Sequence, residues 1–497
     1  TLDGIGTFFQ RDQTWWEPGK AFFDYCQRVQ FQLQKGKPVI DLAVFTGEEI
    51  PSRSVLPDRL LPFLPNIFGE ERLALEKMRL ENLGQPMATM PKEVTYSKNT
   101  TDLSQWVNAL DGYKYDSFNA DVLLHNAKVV NGKVIFSNGV SYSILLFLGK
   151  TKMNPNNKMS LAVAEKIQAL IKAGATILVG EKPNDIPGKY TKEDKVTWQK
   201  AIDFIWKSDV KRLPYLGGTF SEFGVAQDVK FLNLERKEVG SIAWTHRESN
   251  KESIYFLSNQ KQEKQDLEVS FRVSGKTPIL FNPVTNTYTD LSTWKIENER
   301  TIIPIKLDAN ASYFVIFKDN TNKKLSEENK NWSTFETVKT LNQDWTIQFD
   351  KAFHGPSKPI EIHELFDWTT LTNDSIKYYS GTAIYTKTFD WNKKVEKDMF
   401  LEFDEINNIA EISLNGKDCG VLWTYPYRKN ISKALKNGKN TLIIKVTNTW
   451  ANRLIGDEKL SKQDRLTWST APYRLDETMM VKSGLLGDIK IQKTLKK

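Results

Sequence analysis

Cysteine and histidine are scarce, and their placement removes whole classes of chemistry. Only Cys26 and Cys419 are present, far apart, so the chain has neither a disulfide framework nor a CxxC-type metal site. The four histidines, His125, His246, His354 and His363, show no ligand spacing and no serine or cysteine nucleophile motif beside them. Metallo-hydrolase and catalytic-triad readings therefore fail, and each histidine reads as structural. No apolar run approaches the roughly 18 residues needed to span a bilayer. The glycines Gly174 and Gly180 flank a strand instead of forming GxGxxG, which argues against a dinucleotide. Charge of one sign is also lacking: 69 Lys and Arg stand among 61 Asp and Glu, a net +8 without any basic stripe, so no nucleic-acid partner is expected. The chain opens at Thr1 with neither an initiator methionine nor a charged-then-apolar leader. A piece of a longer protein is expected more than a cleaved leader.

What is present is enough to fold. A length of 497 residues exceeds one compact core and fits three or four domains. Hydrophobic residues at 40%, charged at 26% and aromatic at 11% describe a soluble, globular chain. Thr14-Trp15-Trp16-Glu17 has capping-box spacing, and Pro18 suits a first helical turn. Phe22, Tyr25, Val29 and Leu33 then recur at helical spacing until Gly36. An apolar strand, Val39 to Phe45, follows and runs into Thr46-Gly47-Glu48-Glu49. Residues 1–36 have no sheet of their own and read as the end of a preceding domain.

Residues 37–236 alternate strand and helix, with turns at Asn131-Gly132 and Asn138-Gly139, a strand at Ile144 to Phe147, a helix at Ser160 to Lys172 and a strand at Ala175 to Val179. This predicts a doubly wound, mainly parallel sheet of the Rossmann-like or flavodoxin-like kind. Residues 237–318 hold short strands, at Ile242 to Trp244, Ile254 to Leu257, Leu267 to Val273, Pro278 to Phe281 and Tyr313 to Phe317, and predict a small β-domain. The polar stretch 319–333 reads as an exposed linker. Residues 334–497 alternate throughout, with turns at Asn415-Gly416 and Asn437-Gly438, and predict a jelly-roll sandwich. The fold class is thus multidomain α/β plus all-β.

Two residue groups suit carbohydrate. Phe8 to Trp16 sets aromatic faces, which stack on sugar C–H groups, beside the amide and guanidinium of Gln10 and Arg11, which bond hydroxyls. The alternative is that Trp15 and Trp16 pack under the helix while Arg11 pairs with Asp12. In the last region Trp423, Tyr425, Tyr427, Arg428, Asn448, Trp450, Asn452 and Arg453 suit a glycan, or equally a sandwich core. Glu48 and Glu49 sit at a strand's C-terminal end, where α/β domains place functional groups. A glycosidase needs two carboxyls on opposite sides of the bond, which adjacent acids do not easily supply. A solvated or helix-capping pair is the alternative.

Gln10-Arg11-Asp12-Gln13-Thr14-Trp15-Trp16 with its helix, and Val44-Phe45-Thr46-Gly47-Glu48-Glu49-Ile50-Pro51, resemble the bacterial α-L-rhamnosidases of glycoside hydrolase family 106. Tyr115 to Asp121, Trp244 to Arg247 and Ile254 to Phe256 are similar to that family's middle domains. Ile409 to Gly416, Gly420 to Trp423 and Asn448 to Asp457 are similar to its terminal galactose-binding-like sandwich. The resemblance covers nearly the whole chain, and the combination is specific. The Leu414-Asn415-Gly416 part alone is shared by many glycosidase sandwiches.

The resemblance implies an N-terminal (β/α)8 barrel with two catalytic glutamates and a calcium-assisted, inverting hydrolysis of terminal α-L-rhamnosyl bonds in plant or bacterial glycans. Neither glutamate matches a position here, so no catalytic residue is assigned, and 1–36 is expected to be the barrel's last loop and helix. The resemblance carries over the loop Gln10 to Trp16 and makes Gln10, Arg11 and Trp15 substrate-facing; Trp16 and Glu48 are further expected substrate contacts, and Trp423, Arg428, Trp450 and Asn452 are candidates for glycan contact by residue type. Calcium, without assigned ligands, an oligosaccharide or polysaccharide, and the N-terminal barrel are the implied partners. The implied location is periplasmic or extracellular at the cell surface. A non-catalytic carbohydrate-binding or scaffolding module, and another glycosidase with the same accessory domains, are the competing functions.

Overall fold

The computed structural model describes residues 9–48, 53–81, 106–151, 155–207, 212–468 and 476–495. The chain is multidomain and mostly sheet, with a few helices. Helix Lys20–Leu33 carries no glycine or proline, and its Val29 and Leu33 pack on an outer apolar patch of Ile254, Phe281, Phe314 and Ile316. It ends at Gln34, and Gly36 (φ +57°) turns the chain where an added Cβ would lie 2.1 Å from the Glu248 carbonyl oxygen. The expected capping box does not form. Residues 11–19 are turns, Gly19 is the N-cap without a side-chain bond, and the Thr14 hydroxyl donates to the carbonyl of Asn448 instead.

Four strands, Tyr115–Phe118, Leu42–Phe45, Ile144–Phe147 and Thr176–Val179, form an all-parallel sheet in that spatial order. Strand side chains alternate faces. Leu42, Val44, Ile144, Leu146 and Leu178 meet Leu60, Leu64, Phe68 and Tyr113, while Ala43, Leu145, Phe147, Ile177 and Val179 meet helices Leu161–Lys172 and Lys192–Lys207. Coverage of both faces explains why Ile144–Phe147 is apolar at every position. The crossover helix Leu161–Lys172 begins at Ser160, whose hydroxyl caps the amide of Val163, and Gly174 (φ +95°) ends it.

Two antiparallel sheets follow. One runs Lys37–Pro38, Ile242–Glu248, Ser253–Asn259, Ser312–Asn320, Lys276–Asn282, Thr287–Asp290; the other Leu325–Glu327, Thr293–Glu297, Arg300–Leu307, Gln265–Phe271, Val229–Asn233. Trp244, Tyr255, Phe271, Trp294 and Phe317 fill the space between them. Two expected boundaries are corrected here. Val229–Asn233, read as part of the α/β region, pairs with Gln265–Phe271, and Lys37–Pro38 pairs with Ile242–Glu248. The stretch 319–333 is no linker: Leu325–Glu327 pairs with Thr293–Glu297, and buried Asn331 bonds the Thr293 amide (2.9 Å) and the carbonyls of Thr293 (2.7 Å) and Pro304 (2.9 Å). Apart from Asn331, most of its polar side chains are exposed, while Leu325–Glu327 adds a strand to the sheet. Arg300–Leu307 accommodates Pro304 because Thr293–Glu297 pairs only with residues 300–302, leaving the proline on an open edge.

The C-terminal sandwich opposes a four-stranded sheet (Thr334–Thr340, Gly484–Leu495, Met399–Asn407, Arg428–Asn430) to a six-stranded one (Ile360–Glu364, Gln343–Gln348, Thr382–Trp391, Gly438–Thr447, Ile409–Leu414, Lys417–Leu422), all antiparallel. Trp345, Trp368, Tyr379 and Tyr385 dominate its core. Asn415 (φ +54°) and Gly416 (φ +76°) both take the left-handed conformation that a two-residue hairpin demands.

Candidate functional site

The described part of the first candidate group, Phe9 to Trp16, is a run of turns closed by Gln13 N–H to Gln10 C=O, Trp16 N–H to Gln13 C=O and Gly19 N–H to Trp15 C=O. Trp15 and Trp16 are half-buried; Trp15 packs edge-on against Phe9 and closes over Gly19. Gln10, Arg11 and Asp12 are exposed. Among the described residues no ion pair joins Arg11 to Asp12, so the guanidinium stands in solvent with its donors available. Phe8 lies outside the described residues.

The structure brings this loop to the C-terminal sandwich, across most of the sequence. Trp450 donates its indole N–H to the carbonyl of Asp12 at 2.7 Å, and Thr14 bonds Asn448. Trp423 presents edges to Phe22 at 5.4 Å and Tyr25 at 5.3 Å, on the helix that the loop enters. The same helix reaches the middle sandwich through Tyr25 and Ser312 (2.8 Å), Arg28 to the carbonyls of Pro283 (3.0 Å) and Val284 (3.2 Å), and Gln32 to Tyr288 (3.0 Å). Helix Lys20–Leu33 is therefore a strut between two β-domains.

Two members of the expected glycan set are corrected by their bonding. Asn452 is buried; its amide donates to Val481 C=O (2.7 Å) and Ser483 Oγ (3.1 Å), and its oxygen accepts from Val481 N–H (2.9 Å). Arg428 pairs with Glu402, bonds Gln492 at 3.3 Å and lies over Phe335 with its guanidinium carbon 3.7 Å from the ring centroid. The Asn452 amide has no free donor, and the Arg428 guanidinium is anchored through Nε and Nη2. Trp423 and Trp450 face the strut helix and its loop.

Glu48 is elsewhere. Its carboxylate accepts the Ser160 amide at 2.8 Å, at the start of helix Leu161–Lys172, where a negative charge is favourable. It lines a crevice of about 50 Å³ at the carboxyl ends of strands Leu42–Phe45 and Ile144–Phe147, with Arg53, Arg59, Lys158, Glu181 and Trp206, and none of Gln10 to Trp16. The helix-capping alternative is the contact observed. Glu49 lies outside the described residues. Calcium was expected without ligands: among the described residues no three His, Cys, Asp or Glu side chains stand close enough to hold a metal ion.

A buried polar cluster joins the α/β unit to the middle sandwich and was missed in the sequence, where His246 carried no partner signal. Asp228 accepts from His246 Nδ1 (2.8 Å) and Tyr255 OH (2.7 Å), with Arg272 Nε at 3.5 Å; Arg272 also grips Asp41 through two bonds of 3.2 and 2.9 Å. Burial raises the carboxyl of Asp228 and the charges of His246 and Arg272 lower it more, leaving it below the usual range. Burial brings the Lys114 ammonium, which sits over Trp244, down to about 8, against the opposing pull of Asp228.

A family model described as the galactose-binding domain-like region of glycosyl hydrolase family 2 matches residues 368–480, which makes the C-terminal sandwich a galactose-binding-like domain of the glycosidase type. The model of glycoside hydrolase family 106, described as alpha-L-rhamnosidase, matches residues 1–78 and 84–295, more than half of the chain, and the chain belongs to that family. It is similar to a rhamnosidase from Novosphingobium sp. PP1Y, with 27% identity and a TM-score of 0.77 over 99% of this chain and 42% of that one. It is 22% identical to a Formosa agariphila protein that carries the name "Putative beta-glucuronidase", over 99% of this chain and 58% of that protein. The chain thus spans 58% and 42% of the lengths of these two relatives. Among the described residues no helix is long and apolar enough to cross a membrane.

Proposed function

We propose that this chain serves the hydrolysis of terminal α-L-rhamnosyl bonds of a plant or bacterial glycan, with inversion, in the periplasm or at the cell surface, and that Gln10, Arg11, Trp15 and Trp16 face the sugar. The observation that carries the proposal is Arg11, an exposed guanidinium without an ion-pair partner among the described residues, on a loop held by two hydrogen bonds to a galactose-binding-like domain. Guanidinium N–H groups donate only, so their partners would be hydroxyl and ring oxygens. Inversion requires one carboxylic acid to protonate the leaving oxygen while a carboxylate on the other side activates water. No residue of this chain is assigned to either role, and among the described residues no group of three His, Cys, Asp or Glu side chains marks a calcium site.

We also take residues 37–236, less the strands Lys37–Pro38 and Val229–Asn233 that pair with the middle sandwich, as a Rossmann-like or flavodoxin-like accessory domain. Its support is the strand order, second, first, third, fourth along the sheet. We take loop and helix up to Leu33 as the close of a (β/α)8 barrel, whose loops at this end would reach an active site.

The test is hydrolysis by the full-length protein of an aryl α-L-rhamnoside beside an aryl β-glucuronide, with the configuration of the released sugar followed by proton NMR. Release of rhamnose that first appears in the inverted configuration is expected. Release from the glucuronide alone would transfer the chain to another glycosidase activity, and retention would refute the two-sided carboxylate mechanism.

A further inference from the structure

In the C-terminal sandwich Asn448, Trp423 and Trp450, whose amide and aromatic groups suit a glycan, are engaged by other parts of the chain, while Trp468 stays exposed. Asn448 is buried; its side chain accepts the Gly381 amide (2.9 Å) and donates to Tyr379 C=O (2.8 Å) and Ser483 Oγ (2.9 Å). Three bonds fix this corner of the domain. From it the Asn448 carbonyl takes the Thr14 hydroxyl, and two residues on the Trp450 indole reaches Asp12, with its ring 5.7 Å from that of Phe353. A third contact, Trp423 against Phe22 and Tyr25, fixes the helix below the loop.

We propose that the C-terminal sandwich is a clamp for the loop Gln10 to Trp16, with Trp450 a positioning residue that acts through Asp12 on the orientation of Arg11. The proposal rests on the reading of that loop as substrate-facing. A loop of successive turns has few internal bonds, and the turn amides open readily unless something outside holds them. The two clamping bonds flank Gln13, so they tie down the turn next to Arg11 from both sides. The clamp also gives the domain a reason to stay docked when no glycan is present.

Trp450→Phe keeps an aromatic ring near Phe353 and removes the indole donor; Thr14→Val removes the other bond without altering the sandwich. Hydrogen–deuterium exchange on this chain reads the clamp directly. In either variant the amides of Gln13, Trp16 and Gly19 should exchange roughly two- to tenfold faster, the range one neutral hydrogen bond supplies, while strand Gly438–Thr447 is unchanged. In the full-length protein kcat/KM on the aryl rhamnoside should fall by a similar factor. If both variants leave these amides as protected as in the natural chain, the clamp is wrong. If Trp450→Phe retains full activity and only Trp450→Ala loses it, the ring stacks on sugar and the positioning role is overturned. A natural protein inert toward rhamnosides would remove the functional reading, and the exchange result would still decide the clamp.

Discussion

His246 stacks on Tyr255 with ring centroids 3.9 Å apart, and both side chains bond the same carboxylate, that of Asp228. The three groups are buried, with Arg272 linking them to Asp41 of the α/β unit. The cluster ties two domains that also meet through Lys114 over Trp244, through Asn108 bonded to the Ile242 carbonyl, and through Lys37–Pro38 paired with Ile242–Glu248.

Removing one member of a buried charged set leaves the others uncompensated, at a cost of about 3–5 kcal/mol. Asp228→Asn should therefore lower stability by about that amount at pH 7, measured by urea unfolding. The sign with pH follows from the depressed carboxyl: its contribution is full above the unfolded value of roughly 3.9 and is lost as pH falls through the lower folded value. The gap between natural and variant proteins should close at acid pH; a constant gap would refute the electrostatic origin.

Asp111 behaves oppositely. Burial, then the neighbouring Glu238, push its carboxyl up to about 7, although Gln227 donates to it at 2.9 Å. The folded state thus holds an extra proton between roughly pH 4 and 7, and stability falls as pH rises across that window. Asp111→Asn should raise stability at pH 8 by about 1–3 kcal/mol and flatten the dependence. A melting-temperature series from pH 4 to 8 decides it, and an unchanged slope would contradict the assignment.

Asn331 carries the corrected linker. Asn331→Ala leaves an amide and two carbonyls of the sheet edge without this partner and should cost about 1–3 kcal/mol. Limited proteolysis should spare residues 325–331 in the natural chain and cut there in the variant. Early cleavage of the natural chain in this stretch would restore the linker.

These cases show where the sequence was legible. Strands with strong apolar runs or clean alternation, such as Ile144–Phe147 and Thr382–Trp391, and the Asn415-Gly416 hairpin were readable because local periodicity and turn chemistry decide them. Leu325–Glu327 and Arg300–Leu307 were not: polar outward faces resemble a linker, and Pro304 argues against a strand until its open edge is seen. The loop Gln10 to Trp16 was found by composition, but its union with Asn448 and Trp450 spans the chain and leaves no local trace. The same limit applied to Asn452, whose amide donors are taken by Val481 and Ser483, and to Arg428, which Glu402 and Gln492 anchor.

The loop beside the strut helix is proposed to meet the sugar through Arg11. Arg11→Ala in the full-length enzyme, assayed for kcat/KM on an aryl α-L-rhamnoside and for melting temperature on the same preparation, tests it most directly. Loss of charged hydrogen bonds made in the transition state should lower kcat/KM roughly ten- to a thousandfold while melting barely moves. An unchanged kcat/KM in a folded variant, with any stability loss no larger than the roughly 1 kcal/mol of a surface ion pair, would contradict the claim.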